Sequence, residues 1–427
     1  MKTLFQSTFL KNLTKVFSGN AIAQLILVAL SPVLTRIFTP ADFSIFGTYT
    51  SLLGIFLVIS AFAYEKAIPM ERNRDNVHQI VWLCMVISLA WLLSGLTVYL
   101  ITGWSIFQML NVSVSYAVPI LFGIGVFAAS IQQILSYWAI RNNYYGRISM
   151  AKITQSSVNG TGQLVFAGVL EKTGLGLITG DVVGRMAGSI NLFIRFIRQE
   201  GVGWQVRCCF KLIKKYRQFP LLGMPSLVLN NLALQLPTLL FVVFFGVAAS
   251  GQFSLTQRMI GIPIAMITTA LSQVFYGKAS ELQRENPATL TRVYWKLTSR
   301  LFAVFLLPMC LFAFVSPILF VWLFGPNWQV AGMFAQILTP MFFAQLVVLP
   351  VSQILYITGR QGLQLLWDSA RFVLLITGFL VIYKLQWGMV TAVIFFSATM
   401  TVSYAFLLLL GRLGMKRKDT VYEHHME

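Results

Sequence analysis

The chain has 427 residues, is 57% hydrophobic and only 11% charged, and carries a formal net charge of +19. That balance excludes an ordinary water-soluble protein, because a bilayer core about 30 Å thick takes roughly 20 apolar helical residues to cross and runs of that kind fill this sequence. The positive excess does not point to nucleic acid: it is spread over many short breaks between apolar runs, as membrane insertion alone produces, and its natural counterpart is the anionic lipid headgroup.

Apolar runs bounded by charge or turn residues predict an all-α integral membrane protein with twelve transmembrane helices. The first six fall near 17–38, 43–64, 79–101, 115–140, 153–170 and 175–194; the second six near 219–245, 252–277, 297–322, 331–357, 362–382 and 388–410. The first run is as long as a full span and lacks a small-residue cleavage site, so it is expected to remain as a helix. Lysines and arginines crowd every second break, as at Lys66, Arg72 and Arg74, at Arg141, Arg147 and Lys152, and from Arg195 to Arg217. The alternate breaks hold only Arg36, Lys172 and Lys384. Positive loops stay inside during insertion, so both termini are predicted to be cytoplasmic. Cys84 and Cys310 lie in apolar spans and Cys208 and Cys209 are neighbours in a basic break, which predicts no disulfide framework. With His78, His424 and His425 the only histidines, no metal site and no cofactor is predicted.

The longest basic break divides the chain into a bundle over 1–199, a basic cytoplasmic linker over 200–218 and a second bundle over 219–427 with a short basic tail. In the linker, Trp204, Val206, Phe210, Leu212 and Ile213 alternate with Arg207, Lys211, Lys214 and Lys215, so it is either an amphipathic helix on the membrane surface or a solvated tether. A faint repeat relates the halves: Asn20 with Gln24 recurs as Asn231 with Gln235, and Phe43-Ser44 as Phe253-Ser254. Six helices return the chain to its starting side, so the two six-helix bundles are expected to be parallel repeats about a pseudo-twofold along the membrane normal, with the cavity between them.

Polar side chains inside apolar spans are the candidate functional residues. Helix one lines up Asn20, Gln24, Ser31 and Thr35, with Pro32 interrupting its ladder, and either a cavity wall or side-chain glue between helices would use such a face. Helix seven carries Asn230, Asn231, Gln235 and Thr238. On helix eight Arg258 has no acid within a turn, so it faces an anion, an interhelical partner or the interface; the anion-facing reading is preferred. Asp181 with Arg185 and Asp368 with Arg371 are spaced to neutralise each other along one helix face. Glu65 and Lys66 close helix two. Prolines concentrate in the second half, and helices seven and eight are expected to bend.

The run Gly19-Asn20, Ala23-Gln24, Ser31-Pro32, Leu34-Thr35-Arg36, Phe38, Pro40, Asp42-Phe43, with Ala63-Tyr64-Glu65-Lys66-Ala67-Ile68, resembles the opening of bacterial polysaccharide-unit flippases of the O-antigen type, in the polysaccharide transporter branch of the MOP exporter superfamily. The string Pro225, Asn230-Asn231, Gln235-Leu236-Pro237, Phe245-Gly246, Gly251, Phe253-Ser254-Leu255, Gln257-Arg258, Pro263 and Ser272-Gln273-Val274-Phe275 is similar to the matching later stretch. Ser44 stands where that family usually has glycine. The resemblance implies a V-shaped pair of bundles in the bacterial inner membrane. Its cargo would be an undecaprenyl-pyrophosphate-linked oligosaccharide, moved to the periplasmic leaflet for lipopolysaccharide O-antigen or related polysaccharide. It also implies polysaccharide polymerase and chain-length proteins as partners. The matching positions are Asn20, Gln24, Arg36, Glu65, Asn231, Gln235 and Arg258.

The expected function is therefore flipping by alternating access. The diphosphate would sit at Arg258, received by Arg36, because a guanidinium donates two hydrogen bonds to such a group; Asn20, Gln24, Asn231 and Gln235 would meet the sugars. Glu65, Asp181, Arg185, Asp368 and Arg371 are candidates for gating or for coupling to H⁺ or Na⁺. The alternative is a multidrug or cation antiporter of similar architecture, which needs an uncompensated membrane carboxylate. Enzymatic activity is not expected, since the longest outward break, near 102–114, holds no Asp, Glu, His, Lys or Arg.

Overall fold

The computed structural model describes residues 2–110, 112, 114–170, 173–201, 206–285, 287–358 and 360–423. Lys172, Trp204, His424 and His425, and the side chains of Val206, Arg207, Cys208, Cys209, Phe210 and Asn230, lie outside the described ones. Among the described residues the structure is helical, without strands, in the order α1 Lys2–Ile37, α2 Pro40–Ile59, α3 Arg74–Thr102, α4 Ile106–Met109, α5 Ala117–Arg141, α6 Tyr145–Val169, α7 Gly174–Glu200 and α8 Val206–Lys215. There follow α9 Met224–Thr256, α10 Ile262–Glu285, α11 Pro287–Phe324, α12 Gln329–Ser352, α13 Ile354–Ile357, α14 Gln361–Lys384 and α15 Met389–Glu423.

Ten helical stretches among the described residues are long and apolar enough to cross a membrane, and the chain is a multi-pass membrane protein. One of them, Leu234–Gln283, has 50 residues, roughly 75 Å at 1.5 Å per residue and so more than twice a bilayer core. It breaks at Gly246, whose φ of 81° and ψ of 178° only glycine adopts readily. The predicted gap between helices seven and eight falls at this break. Helix α6 is not among the ten, because its core-facing side is polar.

Packing divides the chain into two units, Met1–Gly251 and Gln252–Glu427. In the first, α7 lies against α2, α5 and α6, and α6 against α1. The approach of α6 to α7 depends on glycine: a Cβ at Gly180 would fall 2.5 Å from the Gln163 amide nitrogen, and one at Gly184 2.7 Å from the Gln155 carbonyl oxygen. Small residues substitute backbone contact for the hydrophobic driving force that lipid does not provide. Thr39 caps α2 in a reciprocal capping box with Asp42, with Pro40 in the first turn. Asp42 Oδ1 also accepts from the Gly174 N–H at 2.7 Å, which ties the starts of α2 and α7 together. Ser44 therefore lies inside a helix, fully buried, and no tight turn depends on it.

In the second unit α12 is central, flanked by α10, α11 and α15, with Phe334, Ala335 and Leu338 fully buried. Hydroxyls tie its neighbours to α12 carbonyls: Thr256 Oγ1 donates to Ala331 O at 3.0 Å, Ser397 Oγ to Ile337 O at 2.6 Å and Ser272 Oγ to Leu349 O at 3.1 Å.

Candidate functional site

Arg258 sits in the second unit on a π-helical turn, Gln257–Gly261, between α9 and α10. Its side chain is half-buried, while Met259 and Ile260 beside it are buried. A π turn widens the ladder by one residue and recurs at functional positions. Here Pro263, two residues on, has no N–H to offer and Gly261 adds no Cβ, so a regular ladder gains little. A second π turn, Phe219–Gly223, precedes α9 and contains Pro220. Helical periodicity in the sequence gives no sign of either turn.

The polar stripe predicted on α1 divides. Ser31 and Thr35 are buried and donate within their own helix, Ser31 Oγ to Leu27 O at 2.7 Å and Thr35 Oγ1 to Pro32 O at 3.1 Å. Both hydroxyls thus have a bond inside their own helix. Asn20 is exposed, Gln24 half-buried and Arg36 exposed. Sixteen residues of helical rise, roughly 24 Å, separate Asn20 from Arg36, so one small group cannot meet both. On α9, Asn231 Nδ2 donates back to Leu227 O at 3.0 Å, whereas Gln235 reaches α2: its Nε2 lies 2.8 Å from where a Gly54 Cβ would be.

Asp181 is the centre of a knot wider than its spacing to Arg185 foretold. Tyr49 of α2 donates its hydroxyl to Oδ2 at 3.0 Å, Asn159 of α6 donates Nδ2 to Oδ1 at 2.9 Å, and Arg185 donates Nε to Oδ2. Asp181 is 2% exposed. Gln155, Asn159 and Gln163 recur every fourth residue on α6, and that polar face was the signal available in the sequence. Asp368, by contrast, accepts from Gln364 Nε2 at 3.2 Å and from Arg371 at 3.0 Å, both on α14. The Arg371 guanidinium lies over the Trp367 ring at 4.3 Å.

Helix α2 ends at Ile59, five residues short of the predicted end, because Phe62 and Ala63 take left-handed conformations with φ of 49° and 60°. Two such residues in succession, neither glycine, store on the order of 1 to 3 kcal/mol each. They turn the chain into a 3₁₀ segment, Tyr64–Ala67, that carries Glu65 inward to 2% exposure rather than to the interface. Gln133 Nε2 donates to its Oε1 at 3.0 Å, and Oε2 is buried without a hydrogen-bond partner. Burial raises the Glu65 pKa above the ordinary carboxylate value despite that bond and Lys66.

The described side chains of the basic linker, from Lys211 onward, turn their apolar side to protein. Leu212 is 4% exposed and belongs to the core around Tyr64, Trp138 and Phe196, with Ile213 and Tyr216 against it. The apolar ends of α3, α5 and α7 give these side chains the burial that lipid was expected to supply. Glu71 anchors the arrangement. Its carboxylate accepts from Lys215 Nζ, from Tyr216 Oη at 2.8 Å and from the Arg72 and Asn73 amides at 2.9 and 3.0 Å. Burial alone would raise its pKa, but the bonds from Lys215, Asn73 and Tyr216 outweigh burial and hold it at about 2. A loop acid beside a basic helix gave no sequence signal of this kind.

Long apolar helices with polar knots inside them define a polytopic membrane protein, and comparison with solved structures shows the fold of MOP-superfamily transporters. An inward-facing multidrug resistance MATE family transporter of that superfamily superposes with a TM-score of 0.68 at 14% identity, over 93% of this chain and 96% of that one. Lipid II flippase MurJ, in an inward closed conformation, gives 0.68 at 10% identity over 94% and 87%. A MOP superfamily transporter from Pyrococcus furiosus, described as having a binding pocket of reverse polarity, gives 0.58 at 14% identity over 95% of each chain. No curated protein sequence matches significantly. The chain belongs to the polysaccharide biosynthesis protein family, whose pattern matches residues 33–332.

Proposed function

We propose that this protein moves a polyprenyl-diphosphate-linked oligosaccharide from the cytoplasmic to the periplasmic leaflet of a bacterial inner membrane by alternating access, for O-antigen or related surface polysaccharide. Membership of the polysaccharide biosynthesis family over residues 33–332 carries the reading. The fold, common to transporters and to a lipid flippase, supports it. In this proposal twelve spans, with both termini cytoplasmic, form functional halves over 1–199 and 219–427, joined by 200–218. Arg258 binds the diphosphate, Arg36 receives it at the periplasmic side, and Asn20, Gln24, Asn231 and Gln235 contact sugar. Polymerase and chain-length proteins use the product.

A cation carrier on the same fold is the competing reading. Asp181 and Asp368 are compensated by Arg185 and Arg371, which disfavours them as exchange sites. Glu65 is a buried carboxyl whose only side-chain bond is from neutral Gln133, so coupling of flipping to H⁺ or Na⁺, if present, is assigned to Glu65. The test of the leading reading is complementation of a strain lacking its own flippase. The Arg258→Ala variant should insert normally yet restore no surface polysaccharide, and full restoration would refute the site.

A further inference from the structure

The second half of α3 keeps one side on α5, where Leu92 Cδ1 would lie 3.0 Å from a Gly123 Cβ and Tyr99 donates its hydroxyl to Tyr116 O at 3.1 Å, and leaves its other side uncovered. From Val77 to Ser88 the helix contributes buried residues, but Leu89, Trp91, Leu93, Val98, Leu100 and Ile101 are exposed. A cavity of about 410 Å³ is lined by this part of α3 and by α5, with Phe56 of α2, Ser60 just beyond it and Phe107 of α4 also in its wall. Phe107 is fully buried, while Trp91, Val98 and Trp104 at the rim are 38%, 51% and 54% exposed, so the cavity opens sideways. Its inner hydroxyls need no ligand: Ser130 bonds Ser60 at 2.9 Å and Ser88 at 2.6 Å.

A second cavity, of about 460 Å³, shares Tyr99, Ser105 and Pro119 with the first and is lined by neutral polar groups, among them Gln108, Ser115 and Tyr116. From Asn76 to Ile140 the sequence has no Asp, Glu, Lys or Arg.

Together these form an apolar slot open to the side, continued by an uncharged hydrogen-bonding chamber, with Trp104 in the wall of the slot, Tyr99 in both walls and Tyr116 in the chamber, the residue types that favour a membrane–water interface. A lipid chain gains no hydrophobic energy on leaving the bilayer. Retention must come from close packing on the rings and from headgroup hydrogen bonds. A diphosphate would find no counter-charge in the chamber, whereas a zwitterionic headgroup carries its own and leaves its phosphate and ammonium to bond the neutral polar lining. We propose that the α3–α5 cavity pair binds one zwitterionic membrane phospholipid, with an acyl chain in the aromatic slot and its head in the neutral chamber. The site is separate from the transported substrate and does not depend on what that substrate is.

The full chain, reconstituted with a phosphatidylethanolamine carrying a diazirine on one acyl chain, should on irradiation give adducts mapping to residues 91–127. Unlabelled phosphatidylethanolamine should compete, and undecaprenyl phosphate should not. Gly95 lines the slot and a Cβ there meets no atom within 4 Å, so Gly95→Phe should fill it and cut the adduct by about tenfold or more, a loss readable as affinity. Gly95→Ala should leave it unchanged. Adducts in wild-type protein confined to other segments would overturn the proposal, as would stronger competition by undecaprenyl phosphate, which would assign the slot to the substrate. These outcomes are read without any transport assay, so failure here leaves the flippase reading untouched and the reverse.

Discussion

Asp181–Arg185 and Asp368–Arg371 read alike in the sequence, an acid followed one turn later by an arginine inside an apolar span. The structure gives them different work. Asp181 gathers Tyr49 from α2 and Asn159 from α6 while it neutralises Arg185, so it joins three helices of the first unit. Among the described residues Asp368 accepts from Gln364 and Arg371 of its own helix, while the Arg371 guanidinium lies over the neighbouring Trp367 ring and also bonds Tyr404 of α15. Spacing predicts the ion pair in both cases. What distinguishes the two carboxylates is a partner elsewhere in the chain, 132 residues away for Tyr49 at Asp181, whereas at the second pair the arginine makes the long-range bond, to Tyr404.

That contrast is sharpest at the acids themselves. Asp181→Ala strands a guanidinium among buried groups and should destabilise the protein by about 3 to 5 kcal/mol, measured as thermal unfolding in detergent. Asp368→Ala should cost about 1 to 2 kcal/mol in the same assay, because Arg371, although only 5% exposed, keeps its stacking on Trp367 and its bond to Tyr404 when the acid is removed. Equal losses would erase the distinction. Tyr49→Phe removes one bond of the knot and should cost about 1 kcal/mol; its effect should vanish in the Asp181→Ala background, where no acceptor remains, if the two groups act only through each other.

Glu71 leaves its clearest signature in acid, because, against burial, its bonds from Lys215, Asn73 and Tyr216 hold the carboxylate charged. Its folded pKa of about 2 lies below the ordinary 4.5. The stabilisation is therefore complete above about pH 4.5 and is lost as pH falls towards 2. Thermal midpoints recorded between pH 6 and 2 should fall less steeply in Glu71→Gln than in wild type. Parallel curves would detach Glu71 from the docking of α8.

Much of the fold was legible because lipid demands long apolar helices with charges outside them. Periodicity located α3, α5, α7, α11, α12 and α15, and Gly246 fell in the predicted gap. It also placed Ser31 and Thr35 on one face, but it could not tell that both bond to their own helix. Backbone events with no apolar signature were invisible: the left-handed pair Phe62 and Ala63 that turns Glu65 inward, and the π turn that carries Arg258. The linker was ambiguous for a different reason. The same pattern of Leu212 and Ile213 among lysines serves equally for lipid or for an apolar protein surface, and only the latter is within reach of Glu71.

The central claim is that the cargo is a lipid-linked oligosaccharide gripped through its diphosphate at Arg258. Its direct measurement is flipping in vesicles containing the purified protein and a fluorescent undecaprenyl-diphosphate oligosaccharide, read by accessibility to a membrane-impermeant quencher. Wild type should expose the inner-leaflet pool, and Arg258→Ala should leave it protected at equal protein density. Vesicles in which neither protein moves the lipid, yet both exchange an organic cation for protons, would contradict the account.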